Sequence, residues 1–326
     1  MVTLKDIAKM AGVSTATVSR IINGKGEAKP ETIDRVLKLV KELNYQPNRM
    51  AQTLSQKKSD LIAIMVPNLS NPFFGELVSA IETEATKNGL EILLCDTNDS
   101  REKVEYFLKA IADQYALGAV ICTLQVTEND LSFLADRGVR PVTVDRSYFS
   151  HTYSAINVDQ MNGAFVATSH LIATGAKHIT FISGPDDSLS AERIKGYQLA
   201  LDINQLDDGH IVFGDYTLDS GYQLTQELLT KPREMDGIFA ANDLMALGAI
   251  RAIKDMGYRV PEDIKVVGND DLMIDRFIDP RLTSLSQENK QVSQLVIEEL
   301  TKAKKPGKHI IHPQLMIRES TEQRRI

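Results

Sequence analysis

Residues 3–23 read TLKDIAKMAGVSTATVSRIIN, and the spacing within them sets the first fold element. Leu4, Ile7, Ala8 and Ala11 recur at i, i+3, i+4 and i+7, one apolar face of a helix. Thr3 followed by Asp6 has the pattern of a capping box, in which each residue satisfies a backbone N–H of the other. Gly12 ends this helix, and Ser14 is placed to cap a second one over TATVSRIIN. Two short helices joined by a tight turn form a helix-turn-helix. Val18, Ile21 and Ile22 face the first helix, which leaves Thr15, Ala16, Ser19 and Arg20 outward. A third helix follows Pro30, with Ile33, Val36, Leu37 and Val40 repeating the same spacing. A small polar face around one arginine fits a DNA major groove, where a planar guanidinium pairs with guanine O6 and N7. A three-helix bundle with a purely structural role would show the same periodicity.

Charge supports the nucleic-acid reading of this head. The chain carries −7 in all, but residues 1–60 hold eleven Lys and Arg against six Asp and Glu, a net +5, and the rest carries −12. Clustered basic residues neutralise phosphate, so only the head is suited to a polyanion. The N-terminus has neither a long apolar stretch nor a cleavage site, which points to a cytoplasmic chain with no membrane partner. Cys95 and Cys122 each lie inside an apolar run, as buried thiols do.

Beyond residue 60 the pattern changes. Short apolar runs alternate with helical stretches: LIAIMV, EILLCD, AVICT, PVTVD, ITFIS, IVFGD, GIFAA and IKVVG. The intervening helices are expected near 73–88, 101–115, 128–137, 160–174, 189–205, 219–230, 242–256 and 288–303. Regular βα alternation gives an α/β fold of parallel, doubly wound sheets, and this much chain divides into two such lobes. Ligands of open parallel sheets bind beyond the carboxyl ends of the strands. Those ends carry NLSNPFF, DTND, DR, GPDDSLSAER, DY, AND and NDD. Each alone fits a helix cap; together they describe a cleft for a neutral, hydroxyl-rich ligand. Asp and Asn share hydroxyl protons, Arg donates through a fixed fork, and aromatic rings cover the C–H faces of a sugar.

The run at residues 3–23, followed by NYQPNRMAQTLS at 44–55, resembles the N-terminal signature of the lactose/galactose (LacI/GalR) repressor family. The likeness continues at similar spacing over almost the whole chain. It implies a transcriptional repressor with an all-α helix-turn-helix head (residues 1–46), a hinge helix (47–58) and a periplasmic-binding-protein-like α/β core (59–326). Lobe 1 of the core would span about 59–159 and 288–318, and lobe 2 about 160–287 and 319–326. The chain would cross between them near 158–161, 284–289 and 317–321. By the resemblance, Thr15, Ala16 and Arg20 read bases, while Ser14, Thr17 and Asn23 hold the phosphate backbone. Asn48, Ala51 and Leu54 belong to the hinge, with Leu54 as a minor-groove wedge; the weak local pattern also fits a plain linker.

Carried onto the core, the resemblance implies effector contacts at Asn71, Phe73, Phe74, Asp145, Arg146, Arg193, Tyr216, Asn242, Asp270 and Gln287. Ribose-binding proteins and ribose repressors are similar at these points, so ribose or a related pentose is the expected effector. A hexose, a sucrose-type sugar, a sugar phosphate or a purine is the alternative. One departure is Asn269, where the family usually has an aromatic residue. The expected partners are a palindromic operator, whose symmetry calls for a homodimer, and a small sugar that induces or corepresses. The C-terminal LMIRESTEQRRI has no leucine heptad to add a tetramerising coiled coil.

Other classes find less support. The chain has no GxSxG elbow, no Walker A frame around the GKG at residues 24–26, no HExxH and no zinc spacing, so neither an enzyme nor a cofactor or metal is expected. His170, His178 and His210 stand in ordinary helix or strand positions with no partner motif. A transport-type sugar-binding protein would match the core alone and leave the head unexplained.

Overall fold

The computed structural model describes residues 2–22, 28–45, 58–145, 150–206, 209–230, 235–303 and 305–322. Asn23, the hinge positions Asn48, Ala51 and Leu54, and Arg146 lie outside the described residues. The chain forms two compact units, Met1–Ser59 and Asp60–Ile326.

In the first unit, helices α1 (Leu4–Ala11), α2 (Thr15–Ile22) and α3 (Pro30–Glu42) enclose a small core of Ile7, Ala8, Ala11, Val18, Ile21 and Val36. The capping box forms: Asp6 N–H donates to Thr3 Oγ1 at 3.3 Å, and the Asp6 carboxylate accepts from Thr3 N–H at 2.9 Å. Gly12 then takes φ +68°, a left-handed conformation that ends the helix with little steric cost only for glycine. Ser14 Oγ accepts the Thr17 N–H at 3.1 Å and so starts α2. The third helix differs from its expected face, because Leu37 is 46% exposed while Leu39, Leu43 and Tyr45 pack on the core. At about 100° per residue, Leu37 lies outside the arc from Leu39 to Ile33 that is centred on buried Val36.

In the second unit the described strands form two six-stranded sheets. The first contains β1 (Leu61–Val66), β2 (Glu91–Asp96), β3 (Gly118–Ile121), β4 (Arg140–Val144), β5 (Ser154–Val158) and β11 (Lys308–Ile311), in the order 11-5-4-3-1-2. The second contains β6 (Ile179–Ser183), β7 (His210–Phe213), β8 (Gly237–Ala240), β9 (Lys265–Asp270), β10 (Thr283–Ser286) and β12 (Gln314–Met316), in the order 12-10-9-8-6-7. Every pairing is parallel except β10 with β12. Strand β1 shows why the runs are continuously apolar: Ile62, Ile64 and Val66 pack on one face of the sheet and Ala63 and Met65 on the other.

The helices are α4 (Pro72–Lys87), α5 (Arg101–Asp113), α6 (Glu128–Ala135), α7 (Gln160–Ala173), α8 (Ser188–Ile203), α9 (Leu218–Thr230), α10 (Asp243–Asp255) and α11 (Asn289–Thr301). Leu77 and Ile81 of α4 and Val296 and Leu300 of α11 cover one face of the first sheet, and Leu108 of α5 and Leu134 of α6 the other. In the second sheet Phe181 stacks on Phe239, centroids 4.7 Å apart, within a core shared with Tyr197 of α8.

Strands β5, β10, β11 and β12 do not correspond to any of the eight apolar runs. They are short, and their polar residues (Ser154, Asn157, Thr283, Ser284, His309, Gln314) interrupt the apolar pattern. The chain passes between the sheets after β5, after β10 and between β11 and β12. The third passage is therefore at residues 312–313 and not 317–321, since Gln314–Met316 already pairs antiparallel with β10 through Ser284 and Met316. That pairing also moves residues 314–316 out of lobe 1, where the sequence had put them.

Candidate functional site

In each sheet the order reverses between two neighbouring strands, β1 and β3 in one and β6 and β8 in the other. The crevice at such a reversal is where open α/β sheets bind ligands. A cavity of about 590 Å3 lies there, lined by residues that follow strands of both sheets, a volume suited to a small molecule. Asn71, Phe73, Phe74, Asp145, Arg193, Tyr216, Asn242, Asp270 and Gln287 all line it.

Local backbone chemistry sets these side chains. Asn71 caps α4 by accepting the Phe73 N–H at 3.0 Å, and Phe73 and Phe74 then meet edge to face with centroids 5.2 Å apart. Asn242 caps α10, accepting the Met245 N–H at 3.0 Å while its amide donates to the Tyr216 carbonyl at 2.9 Å. Asp145, Tyr216 and Asp270 have φ of +56°, +66° and +149°, conformations that cost non-glycine residues roughly 1–3 kcal/mol and cluster at functional sites. The Tyr216 ring fills space left by Gly184, where a Cβ would come within 2.1 Å of it. Arg193 is 5% exposed; its Nε–H donates to Gln160 Oε1 at 2.9 Å and an Nη–H reaches the Tyr216 hydroxyl at 3.4 Å. The Gln287 amide donates to the Asp270 carboxylate.

Five carboxyl groups line the cavity, those of Asp99, Asp145, Asp187, Asp215 and Asp270, and Arg193 is the single basic residue among the described lining. That balance favours hydroxyl donors over phosphate. The Asp270 carboxyl is pushed up from the ordinary carboxylate range by burial and then by the charge of Asp243, with Arg193 acting against both. Beneath it the fully buried Asp275 lies against Asp243 and receives no N–H or hydroxyl hydrogen bond on either oxygen. Burial first, and the charge of Asp243 second, push Asp275 up to about 10, so this pair of acids holds a proton at neutral pH.

A carboxyl raised in the folded state binds its proton more tightly there than in the unfolded chain. Its contribution is therefore full below the unfolded value near 4 and is lost as pH rises toward the folded one. Asp275→Asn should melt higher than the wild type at pH 8, by a margin that shrinks toward pH 5. Thermal denaturation across that range checks it; a margin constant with pH would remove the shared proton.

Several lining residues were missed by sequence reasoning, among them Asn68, Asp99, Gln125, Asp187 and Asp215. All but Gln125 stood in the quoted strand-end segments, and position after a strand was the signal that could have singled them out. Gln160, which touches both Asp145 and Arg193, had no such signal because β5 before it was not recognised. Asn269, the departure from the family pattern, is buried with its amide donating to the Ala241 carbonyl at 3.2 Å, so this position packs without an aromatic ring.

In the head, Ser14, Thr15, Ala16 and Arg20 are exposed along the start and outer face of α2, and Thr17 is half-buried. The Ser14 and Thr17 hydroxyls lie 2.9 Å apart at the N-terminus of α2. Among the described residues no His, Cys, Asp or Glu group is arranged to hold a metal ion, and no helix is long and apolar enough to cross a membrane. Cys95 and Cys122 are buried and form no disulfide, and burial pushes the Cys95 thiol up to about 12.

Residues 3–48 match the model for bacterial regulatory proteins of the lacI family, and residues 168–321 match a periplasmic binding protein-like domain. The chain is 34% identical over 99% of its length, and 98% of the relative's, to a protein of Halalkalibacterium halodurans named ribose operon repressor. It is 33% identical over 99% of both chains to the HTH-type transcriptional repressor PurR of Histophilus somni. Among solved structures, the Lac repressor dimer bound to operator and the anti-inducer ONPF is similar at 30% identity and a TM-score of 0.87, over 98% of this chain and 99% of that one. A shared head, a shared two-sheet core and identity sustained along whole chains place this protein in the lacI family of bacterial regulatory proteins.

Proposed function

We propose that this regulator represses a sugar-utilisation operon, binds a palindromic operator as a homodimer, and is released when ribose or a related pentose enters the cavity. The observation that carries the reading is the lining itself: strand-end carboxyls and amides from both lobes, one buried guanidinium, and the rings of Phe73, Phe74 and Tyr216. A relative named ribose operon repressor supports the choice of sugar. Arg146 completes the proposed effector set. The dimer draws support from exposed Met273, Ile274 and Phe277, the last 76% accessible, an apolar patch that a partner copy would cover.

The effector binds one lobe arrangement more tightly than the other, and the operator prefers the opposite one. By linkage each ligand weakens the other by the same factor. Thr15, Ala16 and Arg20 read bases in this scheme, Ser14, Thr17 and Asn23 grip phosphates, and Asn48, Ala51 and Leu54 form the hinge. Replacing Arg20 by Ala should cost about 1–3 kcal/mol of operator affinity and relax preference at one base pair per half-site. Binding to an operator library measures both; a uniform loss across sequences would make Arg20 a phosphate contact.

A purine effector is the second reading, favoured by the similarity to proteins named PurR and by the aromatic lining. Thermal-shift titration of the full chain with pentoses, hexoses, their phosphates and purine bases separates the two. A rise in melting temperature with D-ribose is expected; a rise with a purine alone would overturn the pentose assignment.

A further inference from the structure

Gln160 opens α7 directly after the first passage between the sheets and is only 6% exposed. It is not part of the cavity lining, yet it bonds two residues that are. Its Nε2 donates to Asp145 Oδ2 at 2.6 Å, and its Oε1 accepts the Arg193 Nε–H at 2.9 Å. Asp145 follows β4 of the first sheet, while Arg193 stands on α8 beside the second. The other Asp145 oxygen accepts the Val158 N–H at 3.0 Å, and Arg193 continues to Tyr216 at 3.4 Å. One buried amide thus joins an anion of one lobe to a cation of the other.

The chemistry of the two partners fixes what the joint needs. A carboxylate accepts only and a guanidinium donates only, so the side chain between them must donate on one side and accept on the other. A primary amide does both without charge. A carboxylate in its place would repel Asp145, an amine would repel Arg193, and an apolar chain would leave the buried Arg193 and the half-buried Asp145 each short of a partner. Among the described residues, the charged groups hydrogen-bonded to Gln160 are Asp145 and Arg193, with the Tyr216 hydroxyl beyond. Asp159, next in sequence, is occupied by the Asn162 N–H at 3.0 Å and by His312 at 3.4 Å.

We propose that Gln160 is a positioning residue: it sets the spacing of Asp145 and Arg193 across the lobe passage, so that effector affinity depends on a side chain the effector does not touch. The proposal rests on the reading of the cavity as an effector site.

The test compares full-chain wild type, Gln160→Met and Gln160→Glu in calorimetric titrations with D-ribose between pH 5.5 and 8. Gln160→Met keeps the length, removes both bonds, and should weaken ribose about tenfold or more. Gln160→Glu should bind weakly at pH 8, where its carboxylate meets that of Asp145. It should recover toward wild type as pH falls, because the protonated acid donates as the amide does. Background pH effects are common to all three proteins and cancel in the comparison. Gln160→Met, which carries no titratable group, should show no such recovery. Unchanged affinity in Gln160→Met, or a wild-type pH profile in Gln160→Glu, overturns the proposal. If wild type itself ignores ribose, the effector assignment fails and ligand-free melting curves decide on Gln160. The gap between Gln160→Glu and wild type should then close as pH falls, and a gap independent of pH overturns the joint.

Discussion

A chain cut back to residues 60–326 should retain sugar affinity within about twofold of the full protein and lose operator preference by a factor on the order of 10^3 or more. The head has its own core of Ile7, Val18 and Val36, and the sheets have theirs, so removing one leaves the other's burial intact. The basic excess leaves with residues 1–59, a net +6, and the remaining chain carries −13, which opposes phosphate binding. Gel-shift and titration measurements on the same preparation read both properties. Operator preference surviving in the truncated chain would overturn the assignment of α2 as the reading element.

Replacing Arg193 by Ala should weaken the sugar by roughly 10^2-fold or more while operator affinity without sugar stays within about twofold. The guanidinium is buried and is the one basic group among the described lining residues. Each charge-assisted hydrogen bond it gives is worth about 1.5–3 kcal/mol, and two or more are lost together. Arg193→Lys keeps the charge and loses the planar fork, so it should restore only part of the affinity. Titration of the sugar into free protein and into the operator complex checks both statements. A variant still released normally by the sugar would show that the effector binds elsewhere.

How far the residues foretold this arrangement depended on how local their signals were. The capping box at Thr3 and Asp6, the turn at Gly12 and the cap at Ser14 are contacts within a few positions, and each is present. LIAIMV was seen in advance because burial on both faces leaves a run of apolar residues. The less buried edge strands EILLCD and HIVF were seen because their residues are mostly apolar, whereas SAINV and TSLS are buried but interrupted by Ser, Asn and Thr. KHII and QLM lie at sheet edges with half or more of their residues exposed, and neither stands among the apolar runs. The orientation of α3 depends on what α1 and α2 press against, so Leu37 and Leu39 could not be told apart by period alone. Most of the cavity lining was legible because strand ends mark it. Gln160 was not, since its role depends on partners 15 residues before it and 33 after.

The three passages between the sheets have a mechanical consequence. A single tether would let the lobes swing and twist in any direction, whereas three ribbons joining the same two bodies cancel most of those movements. Hinge or shear closure is the kind of movement such a joint leaves open. One of these ribbons is the stretch from β11 through residues 312–313 to β12, held at both ends by strand pairing. A ligand that favoured one lobe arrangement would then spend its energy on few movements instead of many, which is how a pocket could act as a lever.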